Sequence, residues 1–314
     1  MTPALPAERL RVSNLVHRFG DRSVLDGLSF DVGQGEVVGL LGPNGSGKST
    51  ALSVLCGLEP QQGGALHFEG EPVRGGDRRL RAATGVVFQS PSLDDKLTAR
   101  QNLHLAATLR AMPEASVAVD RELARAGLAG RADEAVGRYS GGMRRRLDIA
   151  RALLHGPSLM LLDEPTAGLD EGAFRATWEH LEGARQRGVS ILVSTHRPEE
   201  AERCDRVVVL ARGRAAIIAT PAELRGRLAD DLIVLQGGDL SELAVLLHER
   251  LGLDGLVDGA ELHIQCRRGH ELVPRIVEAL PPGRLTSVAL RRPSLADAFL
   301  DLTGASLDAD AEAP

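Results

Sequence analysis

Lysine is nearly missing from this chain. Of 37 basic residues only Lys48 and Lys96 are lysines, which leaves 35 arginines. That is a compositional habit, but a lysine kept against it can mark a place where a planar guanidinium cannot replace a compact ammonium. Aromatic residues are scarce as well, at 3% of the sequence, so the core must be mostly aliphatic. Cys56, Cys204 and Cys266 are odd in number and far apart. They fit neither a disulfide framework nor a zinc site and are expected as small core residues in a reducing compartment. No apolar stretch approaches the ~18 residues that span a bilayer. The opening MTPALPAERLRVSNL lacks a basic region followed by an apolar one, so no signal peptide is expected. An excess of positive charge is absent too. Forty-three acidic residues face 37 basic ones, for a net charge of -6, which disfavours a general nucleic-acid binder.

What is present is a chain of 314 residues, 43% hydrophobic and 25% charged, ordinary for a globular protein of about two domains. The first 220 or so residues alternate strand-like and helix-like segments. The runs at 37–41, 85–88, 159–162, 190–194 and 207–210 are almost continuously apolar, as strands buried on both faces of a parallel sheet are. An α/β layer fold with a mainly parallel sheet follows. The stretch 10–32, turning at Gly20-Asp21, reads as an antiparallel β layer. Residues 92–138 read as helices only, at 97–109 and 115–126, and form a helical insert. After a short helix at Pro221, the order strand, helix, two strands, helix, strand, helix suggests a small α+β domain at 230–304, of ferredoxin-like pattern. The tail 305–314, ASLDADAEAP, is small and acidic and is expected to be disordered. The first domain is placed at 8–222.

Three motifs carry chemistry. Gly42-Pro43-Asn44-Gly45-Ser46-Gly47-Lys48-Ser49-Thr50 fits the P-loop, between an apolar strand and a helical run, as the motif requires. Its glycines let backbone N–H groups converge on phosphate oxygens, and the helix N-terminus adds its dipole. Lys48 would bridge phosphates as a point charge and Ser49 would ligate Mg²⁺. Next, an apolar strand ends in Asp163-Glu164, followed by Pro165-Thr166-Ala167-Gly168-Leu169-Asp170. One carboxylate there can hold Mg²⁺ through water, and its neighbour can polarise an attacking water. Last, Tyr139-Ser140-Gly141-Gly142-Met143 opens an amphipathic helix with Met143, Leu147, Ala150 and Leu154 on one face. Ser140 and two glycines at a helix start make a second anion site.

In this order the motifs resemble the nucleotide-binding subunits of ATP-binding cassette (ABC) transporters, over about residues 10–220. The resemblance implies a P-loop ATPase using ATP and Mg²⁺. It implies that Gln89 is the Q-loop glutamine near Mg²⁺ and the attacking water, and that Asp163 is the Mg²⁺-associated aspartate. Glu164 becomes the catalytic base, Asp170 the D-loop aspartate, and His196, after the strand at 190–194, the switch histidine at the γ-phosphate. Phe19 stands where a tyrosine often stacks on adenine. Met143 stands where the signature often has glutamine, so Ser140 and backbone amides must carry that contact. In such proteins two cassettes close head to tail over two ATP molecules, so one P-loop and one signature imply a homodimer.

The C-terminal segment Arg292-Pro293-Ser294-Leu295-Ala296-Asp297-Ala298-Phe299-Leu300-Asp301-Leu302-Thr303-Gly304, with QSPSLDDKLTARQNL and YSGGMRRRLDIARAL, resembles the daunorubicin/doxorubicin-resistance branch of ABC exporter ATPases. That likeness implies a separately encoded integral membrane permease, a place on the cytoplasmic face of the cell membrane, no nucleic-acid partner, and export of a drug or other amphipathic compound. Export of a lipid or glycan is the alternative. A soluble ABC ATPase acting on ribosomes or DNA would usually bring two cassettes or coiled-coil or zinc insertions, and none is visible.

Overall fold

A computed structural model describes residues 7–228, 231–281, 283–304 and Leu307. Chain contacts divide it into two compact units, with the change at Ile218/Ala219. The expected disordered tail lies outside the described residues except for Leu307.

The first unit opens with strands β1 (Glu8–Phe19) and β2 (Arg22–Gly33), an antiparallel hairpin turning at Gly20-Asp21. Strand β3 (Val37–Leu41), buried along its whole length, leads through the P-loop into helix α1 (Lys48–Cys56). Strands β4 (Gly63–Phe68) and β5 (Glu71–Val73) complete a four-stranded antiparallel sheet of order β2-β1-β4-β5. Sequence reasoning missed this pair. Two glycines at its start and Pro72 within it weaken any strand signal. Gly64 is there for close approach: a Cβ would lie 2.4 Å from the Asn14 carbonyl oxygen of β1.

Helix α2 (Arg78–Ala83), also missed, precedes β6 (Thr84–Val87). The insert follows as α3 (Ala99–Leu109), held by a Thr98/Gln101 capping box, and α4 (Ala115–Arg125). They pack with α5 (Gly141–Leu153) around Leu103, Val119, Leu123 and Val136. Leu147, Ala150 and Leu154 of the predicted apolar face belong to this core, and Met143 packs on its edge. Then come β7 (Leu159–Asp163), α6 (Glu171–Gln186), β8 (Ser190–Thr195), α7 (Pro198–Ala201), β9 (Arg206–Ala211) and β10 (Arg214–Ala219).

The central sheet has the order β10-β9-β3-β8-β7-β6, with β9, β3, β8, β7 and β6 parallel. Both faces of the inner strands are covered, which is why they read as unbroken apolar runs. This is the α/β layer with a mainly parallel sheet, flanked by an antiparallel β layer, that the sequence implies. The parallel strands β3, β8, β7 and β6 all end on one side, where ligands bind in open α/β sheets.

The second unit contains α8 (Pro221–Arg225), β11 (Asp231–Gly237), α9 (Leu240–Leu251), β12 (Leu256–Asp258), β13 (Glu261–Cys266), α10 (Gly269–Ala279), β14 (Leu285–Arg291) and α11 (Leu295–Thr303). Its sheet order is β12-β13-β11-β14, with antiparallel neighbours. Two interlocked βαβ units in this order form the ferredoxin-like arrangement. Ile233, Leu235, Leu243, Leu262 and Ile276 fill its core. All three cysteines are free thiols: Cys204 and Cys266 are buried and Cys56 half-buried. Burial pushes the Cys56 thiol up to about 12.

Candidate functional site

The site forms because neighbouring strands end together. Leu41 at the end of β3 pairs with Thr195 of β8, and Asp163 at the end of β7 pairs with Ser194. Adjacent strands lie about 4.8 Å apart, so residues over a hundred positions apart in sequence meet at one edge. The Gly42 N–H donates to the Thr195 carbonyl at 3.2 Å, which fixes the P-loop to β8.

The P-loop glycines do different work. At Gly42 a Cβ would come within 2.5 Å of the Leu210 carbonyl oxygen and 2.7 Å of Ser46 Oγ. Gly47 caps α1 at φ 107 and has no room for a side chain beside Leu25 and Val24. Lys48 is buried, and its Nζ donates to the carbonyls of Gly42 at 2.7 Å and Pro43 at 2.9 Å. It also lies 3.8 Å from Glu164 Oε1. Burial holds the Lys48 ammonium below its ordinary range, while Glu164 and Asp163 pull it back up.

Ser49 Oγ donates to Asp163 Oδ1 at 3.0 Å, and the Ser194 hydroxyl donates to the same oxygen. A hard cation takes oxygen ligands. The Ser49–Asp163 pair fits Mg²⁺ in donor type and supplies two protein oxygens, so phosphate and water would complete the shell. No cluster of three or more acidic, histidine or cysteine ligands exists among the described residues.

Glu164 has φ 44, in the left-handed region that a residue with a Cβ avoids. Two contacts hold it there: its N–H donates to the Ser194 carbonyl at 3.1 Å and to Ser194 Oγ at 3.2 Å. The twist brings Oε1 to 3.0 Å from His196 Nδ1. Facing a carboxylate, Nδ1 is the donor. Contact of this ring with a phosphate would need it to turn, or Nε2 to carry a proton as well.

A cleft of about 520 Å³ is lined by Phe19, Asn44, Gly45, Gly47, Lys48, Ser49, Thr50, Gln89 and Glu164, with Arg22 and Val24. The Phe19 ring is 49% exposed and is supported from beneath by the His17 ring at 4.6 Å, edge on. An exposed aromatic face at the mouth of a phosphate-binding loop can stack on a planar base. Thus Phe19, the P-loop, Gln89 and Glu164 share one cleft, and Asp163 and His196 adjoin it.

Ser140, Gly141, Gly142 and Asp170 do not line that cleft. Ser140 Oγ caps α5 by accepting from Met143 N–H at 3.3 Å, and Asp170 caps α6 by accepting from Ala173 N–H at 2.8 Å. The two glycines differ. A Cβ on Gly142 would lie 2.5 Å from Ala173 Cβ, whereas one on Gly141 would meet nothing within 4 Å. Met143 serves its own chain: it packs on the insert core, and its Sδ accepts from Arg131 at 3.3 Å.

Sequence reasoning overlooked several residues here. Buried Arg145 donates to the carbonyls of Phe88 and Gln89, each at 2.6 Å, and so shapes the chain at Gln89. Nothing in the run Arg144-Arg145-Arg146 singles it out, because only the fold turns it inward. Ser194, Thr166, Arg197 and Glu200 were likewise unmarked.

Residues 25–167 match the ABC transporter family. Over 305 residues the chain is 39% identical to the Nod factor export ATP-binding protein I of Burkholderia lata, covering 96% of this chain and 98% of that one. The protein of the same name from Rhizobium meliloti is 38% identical, covering 97% and 90%. Among solved structures, an ATP-binding subunit of an ABC transporter matches with TM-score 0.62 and 32% identity, over 70% of this chain and 92% of that one. CbiO1 of Clostridium perfringens, part of the ABC transporter complex cbiONQ, matches with TM-score 0.65 and 28% identity, over 78% and 96%. The chain belongs to the ABC transporter family, as one of its ATP-binding, ATP-hydrolysing subunits.

Proposed function

We propose that this chain powers an exporter, as a homodimer closed head to tail over two ATP molecules and bound to a separately encoded permease at the cytoplasmic face of the membrane. The observation that carries the catalytic part is the convergence of Lys48, Glu164 and His196 beside the Ser49–Asp163 pair. Phe19 stacks on the base, and the P-loop from Gly42 to Thr50 cradles the phosphates. Lys48 leaves its loop carbonyls to neutralise phosphate charge. Ser49, Asp163 and Gln89 would hold Mg²⁺, which when bound supplies charge neutralisation at the phosphates. Glu164 accepts a proton from the attacking water as general base, and His196 orients it and meets the γ-phosphate.

The dimer reading is supported by Ser140, Gly141, Gly142 and Asp170 lying outside the cleft of their own chain. In the dimer they face the partner's ATP, with Asp170 at the junction. The cassette domain occupies 8–222 with its helical insert at 92–138, and the α+β domain 230–304. No described helix is long and apolar enough to cross a membrane, so the pore is assigned to another chain. The relatives are named for export of Nod factor. That supports export, and it favours the lipid-or-glycan alternative over the drug-resistance cargo suggested by the segment 292–304.

The test is purification from membranes with Glu164→Gln. The variant is expected to bind ATP, lose turnover, form a nucleotide-dependent dimer and bring down a multispanning protein. Surviving turnover would remove Glu164 as the base, and recovery with ribosomes or DNA alone would remove the exporter.

A further inference from the structure

Glu200 is a carboxylate 1% exposed on the one-turn helix α7, and it does not line the cleft. A buried acid needs partners that match its charge. Glu200 is tied to the loop after β7 and, through the turn of α7, to the end of β8. Thr166, itself fully buried, donates from Oγ1 to Glu200 Oε1 at 3.0 Å. The Glu200 N–H donates at 3.2 Å to the carbonyl of Arg197, two residues after Thr195. Thr166 lies two residues after Glu164, and Thr195 immediately precedes His196.

Arg197 closes the arrangement. Its N–H donates to Thr195 Oγ1 at 2.9 Å, and its guanidinium donates to the Thr166 carbonyl at 3.1 Å and lies over the Phe174 ring, 5.1 Å from the centroid. The loops after β7 and β8 are therefore tied to each other behind the site. On the cleft side the same loops present Glu164 Oε1 and His196 Nδ1 at 3.0 Å.

We propose that Glu200 is a positioning residue for ATP hydrolysis, a buried brace that holds Thr166 to α7, whose N-cap Arg197 holds Thr195, and so sets the spacing of Glu164 and His196. This rests on the reading of those two residues given above. The need for a brace follows from Glu164 itself. A left-handed backbone at a residue with a Cβ is strained and persists only where its surroundings over-determine it. The Ser194 contacts fix the N–H side of Glu164, and Thr166 bound to Glu200 fixes the chain that leaves it. Burial pushes the Glu200 carboxyl up to about 7, while the hydrogen bond from Thr166 and the charge of Arg197 draw it down. The ionised acid is the form matched to the Thr166 hydroxyl donor.

The test uses the full chain and Mg-ATP, with Thr166→Val, Glu200→Gln and Glu200→Ala. Thr166→Val keeps the side-chain shape and removes one donor. A misplaced reacting geometry costs up to about 100-fold in rate, so kcat is expected to fall about 10- to 100-fold in each variant. The KM for ATP should change less than about threefold, because the P-loop contacts are untouched. Thr166→Val and Glu200→Gln together should lose little more than either alone, since they remove one link. Wild-type kcat in folded Thr166→Val, or equal losses in kcat and nucleotide binding, would overturn the brace. Glu164→Gln run alongside separates the two readings: if it keeps turnover, the base assignment fails, whereas if it alone is inactive, the brace fails.

Discussion

Gly142→Ala is the most direct check of how the signature helix is seated. The added Cβ would stand 2.5 Å from Ala173 Cβ and 3.5 Å from Ala173 Cα. Carbon atoms prefer about 3.5–4.0 Å, so α5 and α6 must separate by roughly 1 Å or more at this point. Neither partner can swing away, because both are Cβ atoms fixed to helix backbone. Overpacking of this kind costs about 1–3 kcal/mol. That corresponds to roughly 2–4 °C of melting temperature per kcal/mol in a unit of this size.

Ala173→Gly removes the opposing methyl. Helix propensity then falls at 173 and rises at 142 by similar amounts, each up to about 1 kcal/mol. The double variant should therefore melt close to the wild type, and the cycle should show a coupling of about 1–3 kcal/mol. Gly141→Ala is the internal control, since its Cβ would meet nothing within 4 Å; its melting temperature should not fall and should rise by what helix propensity adds. Thermal unfolding of the full chain by circular dichroism reads all four proteins. A Gly142→Ala protein as stable as wild type would refute the clash, and so would a double variant no more stable than Gly142→Ala alone.

Arg145→Ala strands the Phe88 and Gln89 carbonyls and removes one cation beside the buried Asp148. Because Arg151 still pairs with Asp148 at 2.8 Å, the loss should sit near or below the lower end of the about 3–5 kcal/mol seen when buried pairs are broken, measured by urea unfolding. Lys48→Ala should weaken nucleotide binding, read by titration with a fluorescent ATP analogue; unchanged affinity would count against the P-loop reading. Stability should also carry a mark of Glu200, which faces Thr166, Thr195, Arg197, Glu164 and Cys204. Its folded pKa lies above the unfolded value, so its favourable contribution is complete below about 4.5 and is lost as pH rises through about 7. Wild type should therefore lose stability relative to Glu200→Gln between pH 5 and 8; the opposite trend would show that burial does not dominate there.

Some of this protein is written locally. The P-loop declares itself because a glycine-rich turn between an apolar strand and a helix serves few purposes other than holding phosphate. The parallel strands declare themselves because burial on both faces demands unbroken apolar runs. The kept lysine among 35 arginines is intelligible once its Nζ is seen between two loop carbonyls at 2.7 and 2.9 Å, where a broad planar fork has no room. Even the ferredoxin-like order of the second unit follows from alternating periodicities. Strands β4 and β5 escaped detection because glycine and proline removed the pattern, and their place depends on β4 pairing with β1 and β5 with β4.

The tertiary structure alone decided the rest. It chose Arg145 from three adjacent arginines, separated a tightly packed Gly142 from an open Gly141, and joined Thr166 to Glu200. None of these can be read from spacing, because each depends on which side chain of a distant segment arrives within about 3 Å. That is settled by strand order and helix packing, and a single sequence records it only through their effect.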